Sequence, residues 1–173
     1  MRNLGRILDD LPQLTDPQDM PAIVDRLRAA LSVHAPVTEV WVGSAWRFPE
    51  TLPVPEGVTA IDRKNAAFLR EHFPYTAAHL DQEEPCFAVI EEGVAVSVCR
   101  SVRVTPQVAE AGVDTVEGFR GRGYAVRVVG AWASAVRESG LIPLYSISSD
   151  NLASRGVARK LGLVRYGVDL SIG

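Results

Sequence analysis

Arg120-Gly121-Arg122-Gly123-Tyr124-Ala125 lies between a strand-like stretch and the best-defined amphipathic helix of the chain. Backbone N–H groups in the first turn of an α-helix have no intrahelical partner, and the aligned peptide dipoles add partial positive charge there. Glycine lets the backbone come close to a ligand, and Arg120 and Arg122 add full charges. A turn of this composition suits a phosphate or pyrophosphate. Two familiar phosphate loops do not fit it. A P-loop needs Lys followed by Ser or Thr after its last glycine, and neither is present. The dinucleotide fingerprint needs a third glycine where Val126 stands, and the preceding strand reads as antiparallel.

Working outward, Ala125, Val128, Val129, Trp132, Ala133 and Val136 form one apolar stripe, which predicts a helix over about 121–138. Gly140 stands where a left-handed C-terminal cap belongs. A strand follows over 141–148, then a helix capped by Asp150 or Asn151 and stopped at Gly162, then a strand over 164–172. On the other side of the loop, 86–91 and 94–104 read as a hairpin about Glu92-Gly93, and 108–116 as a third strand of an antiparallel meander. Pairing about that turn sets Cys86 opposite Cys99, two buried reduced thiols on one face of the sheet. Further back, Asp16-Pro17 opens a helical pattern through Met20, Ile23, Val24, Leu27 and Leu31, which ends near Pro36. A strand over 37–46, a proline-rich loop over 49–58 and a short helix from Asp62, stopped by Pro74, complete the pass.

The 173 residues, 47% hydrophobic and 23% charged, fit one domain with a sizeable core and exclude wholesale disorder. No apolar run reaches the roughly 18 residues of a membrane span. Asp9 and Asp10 stand where a secretory signal would have its apolar stretch, so a cytoplasmic chain without a membrane partner is expected. Two cysteines cannot build a disulfide scaffold or a structural zinc site. Residues 120–165 carry eight cations against two carboxylates, +6, and the rest of the chain ten against nineteen, −9. The first stretch suits an anionic ligand and the remainder a cationic partner. His72 and His79 lack a third ligand, so no metal is expected, and Glu83-Glu84 and Glu91-Glu92 read as solvated turn charges. The Arg-Gly-Arg-Gly run lacks the repetition and aromatic interleaving of an RNA-binding segment, so no nucleic acid is expected.

Arg120, Gly123 and Ala125 match the Arg/Gln-x-x-Gly-x-Gly/Ala signature of the GNAT superfamily of acetyl-CoA-dependent N-acyltransferases, which the chain resembles. The second signature of that family, an Asn opening the next helix and a Gly-aliphatic pair ending it, is similar to Asn151 through Ser154 and Ala158 to Gly162-Leu163. The resemblance covers about 86–172. It implies an α/β fold: a mixed, centrally antiparallel sheet flanked by helices. Residues 1–173 would form a single domain, with 1–35 a helical N-terminal segment and 86–172 the cofactor-binding core.

The resemblance also implies roles. The strand before the loop would part from its neighbour at a bulge, so that backbone groups of Val113, Asp114 and Thr115 pair with the pantetheine arm of acetyl-CoA. The pyrophosphate would rest on N–H groups of Arg120, Gly121, Arg122, Gly123, Tyr124 and Ala125, with the +6 segment along the cofactor phosphates. Asn151 and Ser154 would face the far side of the arm. Glu110 resembles the strand glutamate that takes the proton from the acceptor amine, and Asp114 is its rival. A backbone N–H near Val113 or Asp114 would hold the developing oxyanion. The family tyrosine seven residues after the Asn falls at Ala158. The leaving thiolate is then protonated by Ser154, by Tyr124 or Tyr145, or by water, or the chain binds CoA without efficient chemistry. The expected activity is acetyl transfer by direct attack of a primary amine, on a small molecule or a peptide. The alternative is a non-catalytic CoA-binding regulatory or interaction module.

Overall fold

The computed structural model describes residues 21–53 and 55–173, so the start of the first helical pattern, Asp16 to Met20, lies outside the described residues. The chain divides into two units. The smaller comprises, of the described residues, 21–46, 146–155 and 165–173. Helix α1 (Pro21–Leu31) buries Ile23 and Leu27, and Ala30, Leu170 and Ile172 pack against them. Strand β1 (Val40–Arg47) lies between the end of β6 (Ile142–Ser148) and β7 (Val164–Ile172). The carbonyl of Gly173 accepts from the N–H groups of Thr38 and Glu39, at 2.8 and 3.0 Å.

The larger unit, 47–145 with 156–164, holds strands β2 (Thr59–Ile61), β3 (Cys86–Glu91), β4 (Val94–Val104) and β5 (Val108–Thr115), ordered β2-β3-β4-β5-β6. The first three pairings are antiparallel and β5 with β6 is parallel. The expected helix from Asp62 is instead a single 3-10 turn, Ala66–Leu69. Asp62 Oδ1 accepts from the Lys64 N–H at 2.7 Å, a local side-chain turn that competes with helix formation. Pro74 does not stop a helix; it starts α2 (Pro74–His79), where its missing N–H costs nothing. A second 3-10 turn, Leu80–Gln82, follows.

Helix α3 (Tyr124–Glu138) buries Val128, Val129, Trp132, Ala133 and Val136 against β3, β4 and β5, as its stripe predicts. Burying each of the three valines contributes about 1.5–3 kcal/mol. The Trp132 indole donates to Ser101 Oγ at 3.1 Å, so its polar atom is satisfied inside the core. The opposite sheet face packs Cys86, Ala88, Ala95 and Val98 against Ile61, Leu69 and Leu80.

Residue register departs from the simple hairpin. A bulge between Val89 and Ile90 leaves Val96 as the extra residue of β4, and Cys86 falls opposite Arg100, with Phe87 opposite Cys99. Successive residues point to opposite faces, so the two thiols, both free and buried, lie on different faces rather than one. Burial pushes Cys86 up to about 12 and Cys99 well above the ordinary thiol value. Among the described residues no helix is long and apolar enough to cross a membrane.

Candidate active site

Strand β5 closes on its neighbour with the Val116 N–H on the Val96 carbonyl, 2.9 Å, and a 3-10 turn, Glu117–Phe119, leads into the glycine loop. The Arg120 N–H returns to the Glu117 carbonyl at 3.1 Å. Gly121 and Gly123 then take φ of 79° and 83°, a left-handed conformation that an L side chain adopts at a cost. Helical bonding begins with the Arg127 N–H on the Gly123 carbonyl at 3.3 Å. Among the described residues, the six backbone N–H groups of 121–126 therefore have no acceptor in the protein. Successive amides alternating with left-handed residues, at a helix N-terminus, form an anion-binding concavity.

Side chains frame this loop without filling it. Arg120 Nε donates to the Thr115 carbonyl at 3.3 Å. Arg122 donates to the Gly118 carbonyl at 3.2 Å and stacks over Phe119 at 4.8 Å. The Tyr124 hydroxyl donates to Glu91 Oε1 at 2.5 Å, which anchors the helix start to the hairpin, so Glu91 is not a free turn charge. The +6 stretch is not a continuous phosphate rail. Arg127 donates to the Glu56 and Gly57 carbonyls at 2.7 and 2.8 Å, and Arg137 to those of Phe48, Pro49 and Glu50. Both hold the proline-rich loop onto α3.

Strand β5 pairs with β6 only at Val108, Ala109 and Glu110, opposite Ile142, Pro143 and Leu144. From Ala111 to Thr115 it is paired to β4 alone. The Val116–Val96 bond sets the alternation: Asp114 and Gly112 turn their backbone groups toward β4, Ala111 turns toward β6, and Val113 and Thr115 turn theirs to the same side beyond the last β6 pair. Of Val113, Asp114 and Thr115, Val113 and Thr115 turn their backbone groups away from β4, the Thr115 carbonyl accepting from Arg120 Nε, and Asp114 turns its groups toward β4. The bulge lies not on β5 but on β4, between Ser101 and Arg103.

The β4–β5 register arranges the carboxylates. Ser101 opposes Ala111, Val102 is the extra residue, and Arg103 opposes Glu110. Gly112 makes room for it, since a Cβ there would lie 2.3 Å from Val102 Cγ1. Arg103 Nε meets Glu110 Oε2 at 2.6 Å, with the Arg103 side chain 55% exposed and that of Glu110 14%. Four residues on from Glu110, Asp114 joins Arg100 at 2.8 Å, and Arg100 also meets Glu83 at 2.9 Å, with the Arg100 and Glu83 side chains 16% and 12% exposed. Glu83 is thus a buried partner of Arg100 and not a solvated turn charge.

In each of the two ion pairs that hold the expected base candidates one partner is shielded and the other exposed: Glu110 is 14% exposed beside Arg103 at 55%, and Asp114 is 58% exposed beside Arg100 at 16%. Neither Arg100, Glu83 nor Arg103 was a candidate from the sequence; Arg103 meets Glu110 through the turn at 105–108, and Arg100 finds its partners in the bulged register of β4.

In the smaller unit, Asn151 caps α4 (Leu152–Lys160), its Oδ1 accepting from the Ser154 N–H at 2.9 Å. Of Asp150 and Asn151, the cap is therefore Asn151. Asp150 Oδ1 accepts from Ser148 Oγ. Ala158, in the larger unit, is fully buried.

The family model of GNAT acetyltransferases matches residues 60–167. A curated relative, the N-acetyltransferase YdfB of Bacillus subtilis (strain 168), is 28% identical over 125 residues, covering 66% of this chain and 48% of its own. The chain thus spans about half the length of that relative. A GCN5-related N-acetyltransferase-like protein from Streptococcus suis 89/1591 superposes with a TM-score of 0.63 at 20% identity, covering 88% of this chain and 67% of its own. The aminoglycoside N-acetyltransferase AAC(6')-Iy, solved in complex with CoA, gives 0.52 at 18% identity, covering 63% and 92%. Its complex with a CoA bisubstrate analog gives 0.51 at 16%, covering 63% and 90%. These likenesses share the fold, an α/β arrangement of mixed strands and flanking helices. The family match takes in more than half of the 173 residues, and the chain belongs to the GNAT acetyltransferase family.

Proposed function

We propose that the chain moves an acetyl group from acetyl-CoA to a primary amine by direct attack, with no acyl-enzyme. The observation that carries this reading is the run of six unpartnered amides, 121–126, at the start of α3. Those donors suit the diphosphate of a CoA-type ligand, and the unpaired edge of β5 suits its amide-bearing arm. Complexes of AAC(6')-Iy with CoA and with a CoA bisubstrate analog support the same ligand class.

In this reading the amides of Gly121 to Val126 hold the diphosphate, with Arg120 and Arg122 beside them. Val113 and Thr115 pair with the arm, and Asp114 faces β4 instead. Bound acetyl-CoA supplies an acyl group on a good leaving thiolate. Glu110 takes the proton from the acceptor ammonium and so exposes the nitrogen lone pair. The Val113 N–H faces the developing oxyanion. The tyrosine that the family places seven residues after the Asn is absent at Ala158. The −9 balance outside 120–165 favours a cationic acceptor, a small molecule or a peptide amine. The relative named for aminoglycosides is consistent with an amine-bearing acceptor.

A second reading, CoA binding without turnover, is favoured by the buried alanine at position 158. Mixing the protein with acetyl-CoA and a panel of amines, while following free thiol, separates the two. Amine-dependent thiol release supports the transferase. CoA binding with no release across the panel supports the module.

A further inference from the structure

We infer that Arg120 is a positioning residue that couples the two halves of the CoA site: its guanidinium covers the Thr115 carbonyl until a diphosphate in the adjoining loop draws it away and frees that carbonyl for the arm. The inference deepens the transferase reading and rests on it for CoA as the ligand.

Three observations carry it. The Thr115 carbonyl turns away from β4, beyond the last pair of β5 with β6, on the side where an arm amide would find an acceptor. It is already engaged, by Arg120 Nε at 3.3 Å. Thr115 itself is pinned, because its hydroxyl lies 2.8 Å from Oγ of the fully buried Ser97, so the guanidinium is the partner that moves. Among the described residues Arg120 has no other side-chain partner. The 3-10 turn Glu117–Phe119 brings it back to Thr115, and its own N–H on the Glu117 carbonyl sets it directly before the six free amides. Neighbouring cations offer the contrast. Arg122 holds the Gly118 carbonyl and stacks on Phe119, and Arg127 holds two carbonyls. A guanidinium bound to one neutral carbonyl exchanges it for a phosphate, since a bond between two charged groups is roughly twice as strong.

An arm that binds alone must displace Arg120, whereas an arm that follows a diphosphate need not. The two fragments therefore strengthen each other's binding, by the same factor in either order. That factor is about two- to tenfold, the worth of one hydrogen bond.

Calorimetric titration of the full chain with 4'-deoxypantetheine, which leaves room for the β-phosphate, measures the factor with and without saturating ADP. The wild type should bind this arm about two- to tenfold more tightly when ADP is present. Arg120→Met should bind it without ADP as tightly as the wild type does with ADP, and ADP should then change nothing. Arg122→Met, which also loses a loop cation, should keep the coupling. Wild-type arm affinity that is indifferent to ADP, coupling that survives Arg120→Met, or coupling lost equally in Arg122→Met overturns the inference.

NMR reads the first step alone. ADP should shift the Thr115 carbonyl carbon in the wild type and leave it in place in Arg120→Met; a shift absent from the wild type, or retained in full in Arg120→Met, overturns the inference as well. If neither CoA nor ADP binds, the transferase reading fails and the coupling with it. If both bind and no coupling is seen, this inference alone fails.

Discussion

Replacing Gly123 by alanine tests why the loop before α3 is built from glycine. Gly123 has φ 83° and ψ 2°, and a Cβ built there meets no atom within 4 Å. There is no clash to relieve, so the whole effect is the cost of holding an L side chain in the left-handed region, about 1–2 kcal/mol. In a chain of this length that corresponds to a fall in Tm of about 2–8 °C. Gly118 is the control, since a Cβ there also meets nothing and its φ is not left-handed. Gly118→Ala should leave stability unchanged or raise it by about 0.4–1 kcal/mol through the unfolded chain. Urea unfolding followed by far-UV circular dichroism gives both differences, and CoA titration shows whether the amides keep their arrangement. If Gly123→Ala matches Gly118→Ala in both stability and CoA affinity, the conformational argument for this loop is wrong.

Other substitutions probe the frame around the site. Arg137→Met removes three carbonyl contacts to the proline-rich loop; it should cost about 2 kcal/mol and expose residues 48–57 to limited proteolysis. Ser101→Ala strands the Trp132 indole N–H in the core, a loss of about 1–3 kcal/mol that urea unfolding reads directly. Cys86 is raised from 9.0 to about 12 by burial, so its thiol stays protonated in the folded chain while the unfolded chain ionises. Its contribution to stability is intact below pH 9.0 and is lost between pH 9.0 and about 12, a decline that Cys86→Ala should reduce in unfolding measured across that range. Neither cysteine should react with a thiol reagent at pH 8 until the chain unfolds.

What was legible in the sequence was what neighbouring residues decide. The 3.6-residue stripe from Ala125 to Val136 gave helix α3 its place, and Glu92-Gly93 marked the hairpin of β3 and β4. The paired glycines at 121 and 123 marked a turn with free amides. What was not legible depends on residues distant in the chain. Val96 and Val102 each add one residue to β4, and a one-residue slip moves every side chain to the other face. That is why Cys86 meets Arg100 and not Cys99, and why Arg100 falls opposite Gly112. Pro74 carries the same local signal whether it ends or begins a helix, and the three-residue β2 is too short to show a pattern. Strand β1 takes its place between β6 and β7 through pairing that no local pattern reports. The Arg100 pairs with Glu83 and Asp114 depend on the same register.

The central claim, that free amides at the start of α3 hold a diphosphate, is tested most directly by NMR titration of the backbone N–H resonances of 121–126. CoA and ADP, which both carry a diphosphate, should shift these resonances, and pantetheine, which lacks one, should leave them in place. CoA binding that leaves the six amides unmoved would contradict the account.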